Sequence, residues 1–473
     1  MNARARLAVL AGAAGLASAC SFAPHYSRPA TPPPPPVYQE ADGWKTAQPA
    51  DEANRGSWWE IYHDESLSAL ENQVTVSNQN LKAAFARLEQ ARDQTRIERS
   101  YLFPTVTADA RAARERVSVN APTYNPTKPP TGNDFTLSAD VSYEFDVWGR
   151  IRNLVAAARA SEQASAADLA TLDLSTHAEL ATDYFTLRSE DTQQSLLDQT
   201  VKDYTSALEL TQHLYDGGAA ALADLDQAKA QLQTALTQAT DNRLRRAQTE
   251  HAIAVLLGAM PSNFQLPARP LQQDAAPPAI DPGLPSALLE RRPDVAAAER
   301  RVAAANAQIG VARAAYFPVF SLSALAGFES MQTSNLLTAP SRTWSVGPQG
   351  LLTVFDAGLH RAQSAQAHAA YDEQVADYRN TVLTAYQSVE DNIAALRELE
   401  QESLTQAAAV AAATEALQQA QYRYSGGIAT YLEIVVAENA ALTARLSAAD
   451  IQLRRMVASV QLVRALGGGW QPP

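Results

Sequence analysis

Few side chains in this 473-residue chain have a type and spacing suited to covalent chemistry. Cys20 is the single cysteine, so its thiol can be modified but cannot form an intramolecular disulfide. His360 and His368 are eight apart, and His177, His213 and His251 are widely scattered. None has the short spacing of a zinc pair. The sequence contains neither Gly-x-Ser-x-Gly nor a phosphate-binding loop. Arg291-Arg292 beside Pro293 invites a recognition role, but two guanidiniums at a bend are more simply read as pairing with nearby carboxylates. These residues predict no enzyme, no cofactor and no metal site. The remaining candidate chemistry lies at Cys20.

Arg4 and Arg6 precede a short apolar stretch, Leu7 to Leu16, which leads into Ala17-Ser18-Ala19-Cys20. A basic end, an apolar core and small residues are the order of a secretory signal peptide, predicted over 1–19. Small residues before a lone cysteine resemble a bacterial lipoprotein cleavage site, with Leu16 one place early and Ala17 at the usual leucine position. The resemblance implies that Cys20 is the lipid attachment site, and its two or three acyl chains would suffice for stable anchoring. Ser21 follows rather than aspartate, which in lipoproteins of this kind implies outer-membrane delivery. No later stretch offers the ~20 consecutive apolar residues of a membrane helix, so any crossing must be made by strands. The net charge of -13 argues against a nucleic-acid partner. It fits either plain solubility or an electronegative passage that favours cationic cargo.

Around these residues the chain says the same thing twice. Tyr101-Leu102-Phe103-Pro104 returns as Ala315-Tyr316-Phe317-Pro318, and Phe145-Asp146 with Gly149 returns as Phe355-Asp356 with Gly358. Leu214-Tyr215-Asp216-Gly217-Gly218 returns as Arg423-Tyr424-Ser425-Gly426-Gly427, each at an offset of about 210 residues. That offset marks a duplicated unit, not a short-period solenoid. The first repeat is predicted over 57–258 and the second over 286–467, with a lipidated extended leader at 20–56, a linker at 259–285 and a tail at 468–473.

Each repeat carries two stretches of period-two alternation, about 104–116 and 134–146, then about 318–329 and 342–356. Val106, Ala108, Ala110 and Ala112 oppose Thr105, Thr107, Asp109 and Arg111. Phe135, Leu137, Ala139, Val141, Tyr143 and Phe145 form the oily face of the second stretch. Phe320, Leu322, Ala324, Ala326 and Phe328, then Trp344, Val346, Leu352 and Val354, do so in the second repeat. Each stretch is long enough for the ~9–11 residues of a membrane strand. Arg150 to Asp216 and Leu359 to Ser425 are 67-residue runs free of Gly and Pro, each about 100 Å long as a helix. Each ends at Gly-Gly and is followed by a 39-residue returning run, which predicts helical hairpins at 150–258 and 358–466. Heptad seams run through Leu197, Val201, Tyr204, Leu208, Thr211 and Tyr215, and from Leu432 through Val435, Asn439, Leu442 and Leu446 to Val463. Such helices pack side by side. The shorter segments Ser77–Ser100 and Asp294–Ala315 are predicted to stack end to end with the returning helices, giving four columns per chain.

Four strands cannot close a membrane barrel, because open edges leave backbone groups unsatisfied in lipid. Two chains would supply eight strands and three would supply twelve; a wide conduit favours three. The fold class predicted is therefore mainly α with a β-barrel part: a long α-helical barrel fused to a transmembrane β-barrel, formed by a trimer of an internally duplicated chain.

The stretch Leu288-Leu289-Glu290-Arg291-Arg292-Pro293-Asp294-Val295, then Ala298-Glu299, then Ala304 to Pro318, resembles the signature of the TolC-like outer-membrane efflux family. Cys20 with Pro24, Tyr26 and Pro29 is similar to its lipoprotein branch. That resemblance implies an outer-membrane, lipid-anchored homotrimer with a helical tunnel in the periplasm. It also implies a periplasmic adaptor (membrane fusion) protein and an inner-membrane resistance–nodulation–division pump as partners, with outer-membrane lipid around the strands. The hairpin tips would dock the adaptor: Tyr215, Gly217, Gly218 and Leu222 on the first, Tyr424, Gly426, Gly427 and Thr430 on the second. A periplasmic gate would involve Leu432, Glu433 and Val436. Val436 stands where the family often has aspartate, so Glu433 or Glu438 is left to supply any negative ring. Read simply, the tip glycines form turns and Leu432 is a seam residue. The function implied is a passive exit duct for small toxic compounds or drugs. Alternatives are an exit duct for a type I protein secretion system, or a lipid-anchored periplasmic coiled-coil scaffold.

Overall fold

The computed structural model describes residues 21–31, 33–34, 56–122, 125–127, 129–271, 276–278, 280, 291–426 and 428–468. The signal peptide at 1–19, Cys20, Gly427, the end of the tail and parts of the leader and linker lie outside the described residues. In chain order the elements are α1 (Glu65–Ser77), α2 (Gln79–Ser100), β1 (Thr105–Arg116), β2 (Thr131–Phe145), α3 (Arg150–Asp216) and α4 (Leu222–Leu256). Then follow α5 (Pro293–Ala314), β3 (Val319–Ser330), β4 (Arg342–Leu351), α6 (Leu359–Ser425) and α7 (Tyr431–Ala465). Backbone contacts divide the chain into two compact units. One comprises Arg87–Ala166 and Ala297–Arg379 with the leader as far as Ala30; the other comprises Thr31–Ala86, Ala167–Ala296 and Asn380–Pro473.

In the first unit the four strands form one antiparallel sheet in the order β1-β2-β3-β4. Its register aligns the alternation read from sequence. Val106 pairs with Val141, Ala108 with Ala139 and Ala112 with Phe135. Val141 pairs with Ala324, Tyr143 with Leu322 and Phe145 with Phe320. Ala324 pairs with Val346 and Ala326 with Trp344. Because side chains alternate with period two, this register gathers the oily residues of all four strands on one face. Thr107, Asp140, Ser142 and Ser323 fall on the other. β4 is shorter than expected: it ends at Leu351, so Leu352 and Val354 lie beyond the strand. Pro348 and Gly350 hold its apolar-face positions opposite Leu322 and Phe320.

The aspartate of the repeated Phe-Asp motif explains how strand turns to helix. Asp146 accepts hydrogen bonds from the backbone N–H groups of Ile151 (3.0 Å) and Arg152 (2.8 Å), capping α3. Asp356 accepts from the N–H groups of Gly358 and His360 at 2.9 Å each, capping α6. Those amide donors hold its carboxyl below the usual range. The leader is strapped to this unit. Ser21 Oγ donates to Asn153 Oδ1 at 3.1 Å, Asn306 Nδ2 to the Pro24 carbonyl at 2.9 Å, and Arg379 Nε to the Ala30 carbonyl at 3.1 Å. Tyr26 donates to the Glu299 carboxylate. Gly310 makes the approach possible, since a Cβ there would stand 2.7 Å from Ala23 Cβ and 2.5 Å from Asn153 Nδ2.

In the second unit the returning helices meet the shorter helices end to end. α4 closes with a left-handed Gly258 (φ 64°), Ala259 N–H bonding the Ala254 carbonyl at 2.8 Å. Asn78 joins this end to the start of α2: its Oδ1 accepts from Leu81 N–H at 3.0 Å, and its Nδ2 donates to the Leu256 carbonyl at 2.7 Å. One side chain thus satisfies an orphan donor of one helix and an orphan acceptor of the other. At the second junction Arg292 donates to the Ala465 carbonyl at 2.9 Å and pairs with Asp294 at 2.5 Å. The pairing expected of the arginines is met by Arg292. Arg291 contributes its backbone carbonyl, 2.7 Å from where a Cβ on Gly467 (φ 89°) would stand.

An apolar core ties these junctions together, with Leu67, Val74, Leu180, Leu187, Ile253, Leu257 and Val460 fully enclosed. His177, which had no metal partner in sequence, is structural: its Nδ1 lies 2.5 Å from Glu71 Oε2 and its ring stacks on Trp59 at 4.6 Å. Buried Asp191 accepts from Arg188 Nη1 (2.8 Å), Arg246 Nε (2.6 Å) and the Arg269 backbone N–H (2.9 Å). That cluster fixes the first part of the linker against α3 and α4.

Placing arginine on the apolar strand face, as Val141→Arg or Leu322→Arg, costs about 2–4 kcal/mol at mid-membrane depth. Density-gradient fractionation should find both variants missing from the outer membrane. At the turns, Gly258→Ala and Gly218→Ala both force an alanine to positive φ, at about 1–2 kcal/mol. Only Gly258→Ala drives its Cβ to 2.6 Å from a backbone carbonyl, that of Ser77, while nothing lies within 4 Å at Gly218. The apparent melting midpoint of purified protein should fall clearly further for Gly258→Ala.

Candidate functional site

The candidate docking and gating residues converge at the two hairpin tips of the second unit. The first tip is built by the end of α3. Ala219 N–H bonds the Leu214 carbonyl (2.7 Å) and Gly218 N–H bonds Tyr215 (2.9 Å), the paired bonds that stop a helix around a left-handed residue. Gly218 holds that position with φ 74°. Gly217, by contrast, donates to the His213 carbonyl at 3.0 Å in ordinary helical fashion. The second tip repeats the arrangement: Ile428 N–H bonds Arg423 (2.8 Å) and Gly426 N–H bonds Tyr422 (3.0 Å). Gly427 lies outside the described residues.

Both returning helices start with an acid three residues in. Asp224 accepts from Ala221 N–H at 3.3 Å, and Glu433 accepts from Thr430 N–H at 3.2 Å. Glu433 also pairs with Arg423 across the tip at 3.0 Å. Its carboxylate therefore already caps α7 and closes the second hairpin.

The hairpins touch through an apolar contact of Tyr431 and Val435 on α7 with Ala228 on α4 and Leu208 on α3. The Tyr424 and Tyr431 rings approach at 6.1 Å. The buried seam of α7 thus runs through Tyr431, Ile434 and Val435, one place away from the expected Leu432. Leu432 is 59% exposed and Val436 61% exposed, while Leu222 and Ile428 at the turns are 53% and 74% exposed. Leu432 and Val436 are four apart and share one face of α7, leaving an oily stripe uncovered by the chain's own packing. Tyr215 and Leu222 stand exposed on the first tip.

Deeper between the hairpins, Tyr204 on α3 donates to Asn439 Oδ1 at 3.3 Å, and Asn439 Nδ2 donates to Gln231 Oε1 on α4 at 3.4 Å. Beside them Glu438 has a fully enclosed, unpartnered Oε2. Burial, with a smaller contribution from Asp203, pushes its carboxyl up to about 7. Sequence showed Glu438 only as a candidate for an acidic ring; the structure turns it into the hairpin contact. Its burial depends on the approach of α3 and leaves no trace in the helical pattern.

An acid raised from 4.5 to about 7 by folding holds its proton more tightly in the native state. Its contribution to stability is greatest at low pH and is lost as pH rises through that window. Glu438→Gln removes the ionisable group. The melting midpoint of the variant relative to the parent should therefore climb between pH 5 and pH 8, the range that brackets the raised value. A difference that stays flat across that range would contradict this reading of Glu438.

The model describing outer membrane efflux proteins matches residues 70–259 and 284–468. The chain is 32% identical over 464 residues to the probable efflux pump outer membrane protein TtgC of Pseudomonas putida, covering 98% of this chain and 95% of that one. It is 34% identical over 460 residues to the outer membrane protein OprJ of Pseudomonas aeruginosa, covering 96% and 93%. Its fold matches the solved structure of the outer-membrane channel OprN with a TM-score of 0.84 at 30% identity, covering 96% of this chain and all of that one. With its strand register, duplicated hairpins and matches along nearly its whole length, the chain belongs to the outer membrane efflux protein family and is an outer-membrane efflux channel.

Proposed function

We propose that three copies of this chain assemble into the passive exit duct of a three-part efflux pump, anchored by acylated Cys20. Its tips would receive a periplasmic adaptor and, through it, an inner-membrane resistance–nodulation–division pump. The observation that carries this reading is the sheet: four strands whose apolar residues fall in register on one face, with β1 and β4 left as open edges. Such edges need partners in lipid, and two further copies supply twelve strands in all. A periplasmic coiled-coil scaffold has no use for that face. Relatives named for toluene, antibiotic and cation efflux support small toxic compounds, and not secreted proteins, as cargo. The second copy of the hairpin supplies the gate, its oily stripe at Leu432 and Val436 facing the other protomers when closed.

Two variants separate docking from gating in cells where this channel is the sole exit. Leu222→Arg should raise the accumulation of a fluorescent pump substrate to the level of a channel deletion, with unchanged outer-membrane protein. Leu432→Ser combined with Val436→Ser should instead admit a large hydrophilic antibiotic and lower its inhibitory concentration several-fold. Wild-type efflux by the first variant, or an unchanged barrier in the second, would contradict the assignment concerned.

A further inference from the structure

At the base of the sheet, the first unit contains a hollow with a volume of about 820 Å³. Leu102, Tyr143, Phe145, Phe320, Pro348 and Gly350 line it, with Asp146 and Arg152 among its polar lining. The pairings Phe145 with Phe320 and Phe320 with Gly350 put its aromatic wall on the apolar face of the sheet. The hollow exists because β4 presents little side-chain volume there. Pro348 and Gly350 stand where Val346 and Trp344 stand further along, and the Phe320 ring lies 3.3 Å from the position of a Cβ on Gly350.

The leader is strapped to residues that adjoin this lining in the chain. Ser21 Oγ bonds Asn153, the neighbour of Arg152. Phe22 stacks on Phe317 at 4.5 Å with the planes 4° apart, and lies 6.0 Å from Trp148, the neighbour of Val147 in the wall. Trp148 is itself fixed by a 2.8 Å bond to the Pro318 carbonyl. Cys20 is bonded to Ser21, whose side chain is held by Asn153, the residue after Arg152 of the lining. We propose that this hollow is the berth of an acyl chain carried on Cys20, an inference that rests on the reading of Cys20 as lipid-bearing. The chain would lie along Tyr143, Phe145 and Phe320, with the polar linkage of the lipid toward the Asp146–Arg152 pair. The anchor would then brace the strand–helix junction as well as tether the protein.

The test uses the full-length protein in cells fed a diazirine-bearing fatty acid. After irradiation the channel is purified and digested, and its peptides are mapped by mass spectrometry. A berth for the tethered chain predicts conjugates joining the acylated N-terminal peptide to peptides containing 143–152, 320 and 348–350. Gly350→Trp, which fills the hollow, should reduce those conjugates several-fold while the mass of the N-terminal peptide is unchanged. Wall peptides carrying only free phospholipid masses would overturn the proposal in favour of a bilayer lipid. Conjugates scattered over the whole apolar face would overturn it in favour of an unlocalised chain. An acylated N-terminal peptide with no lipid on the wall would overturn it in favour of cover by a second copy. An N-terminal peptide without acyl mass would overturn the anchor and the berth together.

Discussion

A sheet with an oily face and two open edges cannot rest in a bilayer by itself, because each unpaired N–H and C=O costs several kcal/mol where no water can reach it. That constraint organises the molecule. β1 and β4 are the edges, and in the proposed trimer β1 of one copy would pair with β4 of the next. Once the strands close in a ring, the helices that continue from them must also be arranged around an axis. The capping of α3 by Asp146 and of α6 by Asp356 makes those continuations short and defined.

Duplication supplies the same parts twice, yet the two copies solve shared problems with different side chains. Asn78 splices one returning helix to its shorter partner, while Arg292 with Asp294 performs that task in the second repeat. Asp224 and Glu433 cap equivalent helices, but only Glu433 is bound across its tip by a cation, Arg423. The differences collect on the second hairpin, where the exposed Leu432 and Val436 and the enclosed Oε2 of Glu438 are also found. In the proposed gating, this hairpin would be the moving part.

Much of this was legible in the sequence, for physical reasons. Period-two alternation marked the strands because one face must be oily and the other wet. The 67-residue runs without Gly or Pro marked α3 and α6 to the residue, since nothing within them could end a helix. Where the alternation is interrupted the pattern misleads: Pro348 and Gly350 break it in β4, and Leu352 and Val354 resume it beyond a strand that ends at Leu351. The seam of α7 was displaced by one residue at Leu432, because an oily residue on an exposed face looks the same in a heptad as a buried one. The burial of Glu438 and the path of the leader depend on approaches between distant segments. Gly310 carried the only local hint, as a glycine inside a helix that no turn requires.

The most direct test of the account is electron microscopy of the detergent-purified protein, read for rotational symmetry and length. The account predicts a three-fold tube well over 100 Å long with a detergent belt at one end, since a 67-residue helix alone would span ~100 Å. A monomer, or a solid rod without a belt, would contradict it.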